Sequence, residues 1–359
     1  MSLERRIGWV PDEYNTMSPG ELAQRVAYAK RALGSRLTIL GHHYQRDEII
    51  RYADYRGDSL ELSRRAATTD SEYIVFCGVN FMAETAAVLC SPDQTVMQPV
   101  AEALCPMAEM ASRRQAEATW EALSAVWDDP IIPITYQNST AELKAFVGEK
   151  GGAVCTSSNA RALFEWAFGQ GGRILFLPDE HLGVNTALDM GLPEAALGVW
   201  DPLHPPDPAT LAGCRVVVWK GFCWVHTGFA VESVAQARAQ YPDALVIVHP
   251  ECPRPVVAAS DLSGSTARII QVVEEAPTGA TIVVGTECHL VERLDKEHPD
   301  KRVIPLSLRA CGSMALTQLK HLAYILDGLV AGETRNVVTV PDEVARWARL
   351  ALDKMLQIG

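Results

Sequence analysis

Nine cysteines lie at positions 77, 90, 105, 155, 214, 223, 252, 288 and 311. The odd number, in a chain opening on MSLERRIGWVPDEYN with no apolar signal core, argues against a disulfide framework. No two are spaced as CxxC, so neither a zinc ribbon nor a ferredoxin-type run fits. A cysteine taken singly is most often a small buried apolar residue. Three of them stand apart, because each follows a short apolar run in a similar setting: TVMQPVAEALCPM with Cys105, VVVWKGFCWVH with Cys223, and RVIPLSLRACGSM with Cys311. Other apolar runs end in polar tips, LTILGHHYQ, IIPITYQN and ALVIVHPE, which present His42, Tyr44, Tyr136, Asn138, His249 and Glu251, and His226 lies three residues after Cys223. Thiolates are soft metal ligands. Histidine and glutamate exchange protons near neutrality once their surroundings tune them. Tyrosine and asparagine hydrogen-bond an oxyanion or orient a carboxylate.

The elements that must position these groups recur three times. Short β-branched runs alternate with helical stretches, the pattern of parallel α/β architecture. Each repeat has a strand with a polar tip and then a small hydroxyl-rich turn opening a helix: GDSLELSRRA with Ser59, TSSNARALFEW with Ser157, GSTARIIQVV with Thr266. A strand running into a polar loop comes next (YIVFCGVNFMAETA, RILFLPDEHLGVNTA, TIVVGTECHLVERL), and then the strand that precedes the cysteine. The interval from His42 to Cys105 nearly equals that from His249 to Cys311. The one from Tyr136 to Cys223 is longer and contains the proline-rich WDPLHPPDPAT, read as a surface-loop insertion. Ligands of open parallel sheets gather beyond the carboxyl ends of the strands, where all the tips and all three cysteines fall. Three like units about a pseudo-threefold axis would bring these ends to one centre.

Three thiolates suit an iron–sulfur cluster that keeps one iron open as a Lewis acid, the equipment of a dehydration or condensation; zinc with three cysteines and a water is the alternative. Helix starts with free N–H groups favour anions, so the three hydroxyl turns suit a substrate carrying carboxylates or phosphate. The net charge of −12 and pI near 5.3 exclude a global field for nucleic acid or anionic membrane. No apolar run approaches a membrane span, which gives a cytoplasmic expectation. Two rival readings remain: a zinc or iron hydro-lyase on a small phosphorylated or carboxylated substrate, and an iron–sulfur electron carrier or redox sensor, the carrier opposed by the lack of a fourth clustered cysteine.

Together, GHHYQRDEI, GDSLELSRRA, GVNFMAETAAVL, CTSSNA, FLPDEHLG, WKGFCWVH, VHPE, GSTA and GTECHLVERL resemble the quinolinate synthase family, in its longer, Bacillus-like branch, from about residue 37 to 311. The resemblance implies three homologous three-layer α/β/α domains with Rossmann-like parallel sheets around a pseudo-threefold axis and one central 4Fe–4S cluster. It implies that iminoaspartate, supplied by L-aspartate oxidase, condenses with dihydroxyacetone phosphate, and that loss of phosphate and water gives quinolinate for NAD biosynthesis. Carried over by position, the cluster ligands fall on Cys105, Cys223 and Cys311. Substrate contacts fall on His42, Ser59, Tyr136, Gln137, Asn138, Ser157, His249, Pro250, Glu251 and Thr266, with Ser158 an alternative to Ser157. Glu251, Tyr44, His42, His249 and His226 are the catalytic candidates. The expected division is a helical extension over 1–30, repeats over 31–115, 116–232 and 233–325, and a tail over 326–359 whose VPDEVARWARLALDKMLQ reads as an amphipathic helix packed on the body.

Overall fold

The computed structural model describes residues 7–358; positions 1–6 of the expected N-terminal extension and the last residue of the tail lie outside them. It contains three parallel sheets flanked by helices. The first is built from β1 (Leu37–His42), β2 (Tyr55–Gly57), β3 (Tyr73–Cys77) and β4 (Thr95–Met97) in the order β2-β1-β3-β4. The second has β5 (Ile131–Tyr136), β6 (Ala153–Cys155), β7 (Arg173–Leu177), β8 (Leu197–Trp200) and β9 (Val216–Trp219) in the order β6-β5-β7-β9-β8. The third has β10 (Leu245–Val248), β11 (Leu262–Ser263), β12 (Thr281–Gly285) and β13 (Arg302–Pro305) in the order β11-β10-β12-β13.

Apart from β8, the three sheets share one strand order, and every pairing is parallel. The chain is a triplicated α/β protein. Parallel strands are covered on both faces, so they read as unbroken apolar runs; accordingly Ile134, Phe176, Val217, Ile247 and Val284 have no exposed surface. In each sheet the chain leaves the first strand toward one side and returns to the other. The switch point therefore lies between the first strand, with its polar tip, and the third.

The middle repeat differs from the expected plain loop insertion. The added residues also form β8, a parallel edge strand on β9, before the proline-rich stretch and its 3₁₀ turn Pro208–Leu211. The outer edge of β9 offers unpaired backbone groups, and β8 satisfies them while leaving Val199 partly exposed, as an edge allows.

Two compact units emerge from the packing. One runs to Cys105 and takes in Cys311–Val340; it contains the first sheet. There the helix Pro19–Leu33, opened by a Ser18–Glu21 capping box, buries Val26 and Ala29 in the same core as Leu322, Ala323, Ile325 and Leu326 of helix Leu319–Val330. That second helix runs through position 325, where the third repeat is expected to end.

The other unit is Pro106–Ala310 with the residues from Pro341 onward, and it contains the second and third sheets. The tail forms the amphipathic helix Asp342–Ile358 that the sequence suggests, packed on helix Ala141–Glu149. Close approach requires Gly148, since a Cβ there would lie 2.0 Å from the Trp347 carbonyl oxygen. Asn159 Nδ2 donates to the Met355 carbonyl at 3.2 Å and fixes the far end.

Candidate active site

In the second unit the tips of β5 and β10 meet through side chains. Tyr136 closes β5, and its Oη donates to Glu251 Oε1 at 2.5 Å. The other carboxylate oxygen, Oε2, lies 2.8 Å from His226 Nδ1, whose ring places Nε2 3.1 Å from Thr286 Oγ1 just beyond β12. An ionised carboxylate only accepts, so His226 carries its proton on Nδ1. His249 stacks on His226 with ring centroids 4.3 Å apart and planes 12° apart. Its Nδ1 accepts from the Glu251 backbone N–H at 3.3 Å, which leaves the proton on Nε2. All five side chains are almost wholly buried.

Burial alone would raise the Glu251 carboxyl. The imidazoles, His226 foremost, and the hydrogen bonds from His226 and Tyr136 overcome it and hold the group down at about 2. Burial, reinforced by His226, pushes His249 down to about 3, so that ring is neutral near neutral pH. The result is a buried site that holds one carboxylate, two imidazoles and a phenol in contact, groups of the kind that exchange protons with a substrate.

Two residues unrecognised in the sequence sit beside this network, both at the tip of a third strand. Thr286 buttresses His226. Asp179 follows β7, has no exposed surface, and caps helix Glu180–Asp189 through Oδ1, which accepts from Leu182 N at 2.6 Å. Its Oδ2 has no hydrogen-bond partner among the described residues. Burial, and then the Glu251 charge, push its carboxyl well above the usual range. The polar loops after the third strands, PDEHLG and GTECHL, were the only signal for either residue.

The remaining candidates of this unit line the same strand ends. Gln137 is buried, and its N–H extends the β5–β6 ladder to the Cys155 carbonyl at 2.7 Å. Asn138 follows, with a buried Oδ1 that has no partner among the described residues. Pro250 is half-buried between His249 and Glu251. Ser157 is half-buried and Ser158 exposed, in a turn where Thr156 N donates to Asn159 Oδ1 at 2.8 Å. Thr266 is the first residue of helix Thr266–Glu275, but the cap is Ser265, whose Oγ accepts from Arg268 N.

In the first unit, His42 ends β1, and its Nδ1 accepts from the Tyr44 backbone N–H at 3.1 Å. The two rings meet edge to face at 4.7 Å. Ser59 is the first residue of helix Ser59–Thr68, again one place inside the cap, which is Asp58 accepting from Leu60 and Glu61. Neither Ser59 nor Thr266 is therefore an N-cap.

The cysteines divide cleanly by burial. Cys105, Cys223 and Cys311 are only partly buried, whereas the other six are buried. Burial pushes the thiols of Cys77 up to about 12 and Cys288 up to about 11, and raises Cys155, Cys214 and Cys252, which suits inert core thiols. Near Cys223 the donor atoms of Cys223, His226 and Glu251 all lie within 4.8 Å of one another, a thiolate–imidazole–carboxylate group able to hold a metal ion. Cys105, Cys223 and Cys311 each lie on the loop after the last strand of a repeat.

Fold and site together define a triplicated parallel α/β enzyme with acid–base groups and metal-binding donors at its strand ends. The profile of the family described as Quinolinate synthetase A protein matches residues 24–357. A quinolinate synthase of Corynebacterium glutamicum is 48% identical over 356 residues, covering 97% of this chain and 90% of that protein. Another, of Bacillus velezensis, is 48% identical over 357 residues, covering 97% and 96%. One from Halobacterium salinarum is 46% identical over 355 residues, covering 97% and 95%. The chain belongs to the quinolinate synthase family. Among the described residues no helix is long and apolar enough to cross a membrane.

Proposed function

We propose that the chain condenses iminoaspartate with dihydroxyacetone phosphate, with loss of phosphate and water, to give quinolinate in de novo NAD biosynthesis. Membership of the family over nearly the whole chain supports the reaction. The observation that carries the site is the buried carboxylate of Glu251, held ionised between Tyr136 and His226. L-aspartate oxidase is the functional partner that supplies the imine, and the cytoplasm is the compartment. Repeats over 31–115, 116–232 and 233–325 would each contribute one cysteine, with the terminal segments 1–30 and 326–359 outside them.

Cys105, Cys223 and Cys311 are the proposed ligands of one 4Fe–4S cluster, supported by their equivalent places in the repeats and their partial exposure. When bound, such a cluster supplies an open iron that polarises a hydroxyl or carbonyl oxygen as a Lewis acid. Glu251 takes a proton from the condensing carbon skeleton, and Tyr136 Oη, 2.5 Å away, is placed to return one. His226 steadies the carboxylate, and Thr286 holds the far side of the imidazole. Neutral His249 donates from Nε2 to a substrate oxygen. Asn138 Oδ1 accepts from a substrate N–H or O–H, which would satisfy a buried atom otherwise without a partner. Ser59, Ser157 and Thr266, with nearby backbone N–H groups, bind carboxylate or phosphate oxygens. His42 contacts substrate beside Tyr44.

A zinc or iron hydro-lyase is the second reading, favoured by the mixed donors Cys223, His226 and Glu251. Metal analysis and the visible spectrum of anaerobically purified protein separate the two. A broad brown absorbance with about four irons per chain is expected. A colourless protein loaded with zinc contradicts the proposal.

A further inference from the structure

We propose that Asn185 is a positioning residue for Glu251, gripping the backbone on both sides of it so that the carboxylate meets Tyr136 and His226. The inference rests on the reading of Glu251 as the proton-transfer group. Asn185 lies in helix Glu180–Asp189 and is almost wholly buried. Its Nδ2 donates to the Pro250 carbonyl at 2.8 Å and to the Cys252 carbonyl at 2.9 Å, so both amide protons are spent on the residues flanking Glu251. From the other side, the Glu251 N–H donates to His249 Nδ1. The short segment after β10, which closes its own turn through Cys252 N donating to the His249 carbonyl at 3.0 Å, is thereby also tied to helix Glu180–Asp189.

The same helix is tied at its start to the loop that carries Cys223. Glu180 N donates to the Gly221 carbonyl at 2.9 Å, and Asp179 forms a parallel bridge with Gly221. The approach is so close that a Cβ on Gly221 would lie 2.2 Å from the Pro178 carbonyl oxygen. One helix thus sets the Glu251 segment at its middle and the Cys223 loop at its first turn. A carboxylate that moves off its partners by a fraction of an ångström loses much of its value as a base, because proton transfer demands a near-attack geometry.

Asn185→Asp keeps the shape but replaces two donors with lone pairs facing two carbonyl oxygens; Asn185→Ser removes the reach without adding charge. Full-length variants, loaded with iron anaerobically, are compared with wild type and Glu251→Gln for iron content, melting temperature, kcat and KM. The proposal expects wild-type iron, KM within about threefold, and kcat reduced on the order of 10²-fold in both variants. Either folded variant turning over within about threefold of wild type overturns it, even if its melting temperature falls, because the amide is then merely structural. Loss of iron together with kcat also overturns it. If Glu251→Gln itself turns over normally, the underlying reading of Glu251 has failed, an outcome distinguishable from failure of the Asn185 clamp.

Discussion

Glu251 and Tyr136, 115 residues apart in sequence, share a 2.5 Å hydrogen bond that joins the tips of the first strands of two repeats. The bond turns a structural repeat into a chemical device. Each strand end alone offers a common polar residue; against burial, His226 foremost, then His249 and the Tyr136 hydrogen bond, hold the Glu251 carboxyl down to a pKa of about 2. Glu251→Gln keeps the volume and removes the charge. Turnover is expected to fall by about 10²–10⁴-fold while iron content and fold persist. Steady-state rates on iron-matched protein check this, and a variant within about threefold of wild type removes Glu251 from the chemistry.

The cysteines give a second expectation. Cys105→Ser, Cys223→Ser and Cys311→Ser each prevent a stable intact cluster. The buried Cys77, Cys90, Cys155, Cys214, Cys252 and Cys288 each tolerate conservative replacement without loss of iron. Iron and sulfide analysis of the nine variants decides the matter. Full iron in any of the first three contradicts the assignment.

Much of this was legible in the sequence, for local reasons. Parallel strands buried on both faces announce themselves as apolar runs, and the polar residues closing β1, β5 and β10 stand out against them. What was not legible depends on partners distant in the chain. Asn185 reads as an ordinary helix residue until Pro250 and Cys252, 65 and 67 positions on, are seen against its amide. Asp179 and Thr286 are likewise defined by tertiary neighbours. Ser59 and Thr266 do open their helices, but with Asp58 and Ser265 beside them composition does not say which side chain turns back to cap the first turn. β8, just ahead of the proline-rich stretch, gave no signal of its own because an edge strand needs only a few residues and a waiting neighbour.

The separation of cap from first helical residue sharpens a third prediction. Asp58 and Ser265 cap their helices, so Asp58→Ala and Ser265→Ala should each lower stability by about 1 kcal/mol. Ser59→Ala and Thr266→Ala remove no cap. They should leave the melting temperature near wild type and weaken quinolinate binding by about 0.5–1.5 kcal/mol, the value of one neutral hydrogen bond. Melting curves and quinolinate titrations on the four variants test this; unchanged affinity in both Ser59→Ala and Thr266→Ala contradicts a role in binding.

A fourth concerns acid stability. Burial pushes His321 down to about 4, where its Nδ1 accepts from Gln318 N and its Nε2 meets the Gly8 carbonyl. Between about pH 6.5 and 4 the unfolded chain binds a proton there that the folded chain refuses, so stability falls as pH drops through that window. His321→Gln should flatten this part of the pH–stability curve, measured by denaturant titration from pH 7 to 4. An unchanged slope contradicts the assignment.

The most direct measurement is the reaction itself. Iron-loaded protein is incubated anaerobically with oxaloacetate, ammonia and dihydroxyacetone phosphate, and quinolinate is followed by mass. The account predicts that quinolinate accumulates with time and protein concentration, and that it is absent when dihydroxyacetone phosphate is withheld. No quinolinate from protein carrying its full complement of iron would contradict it.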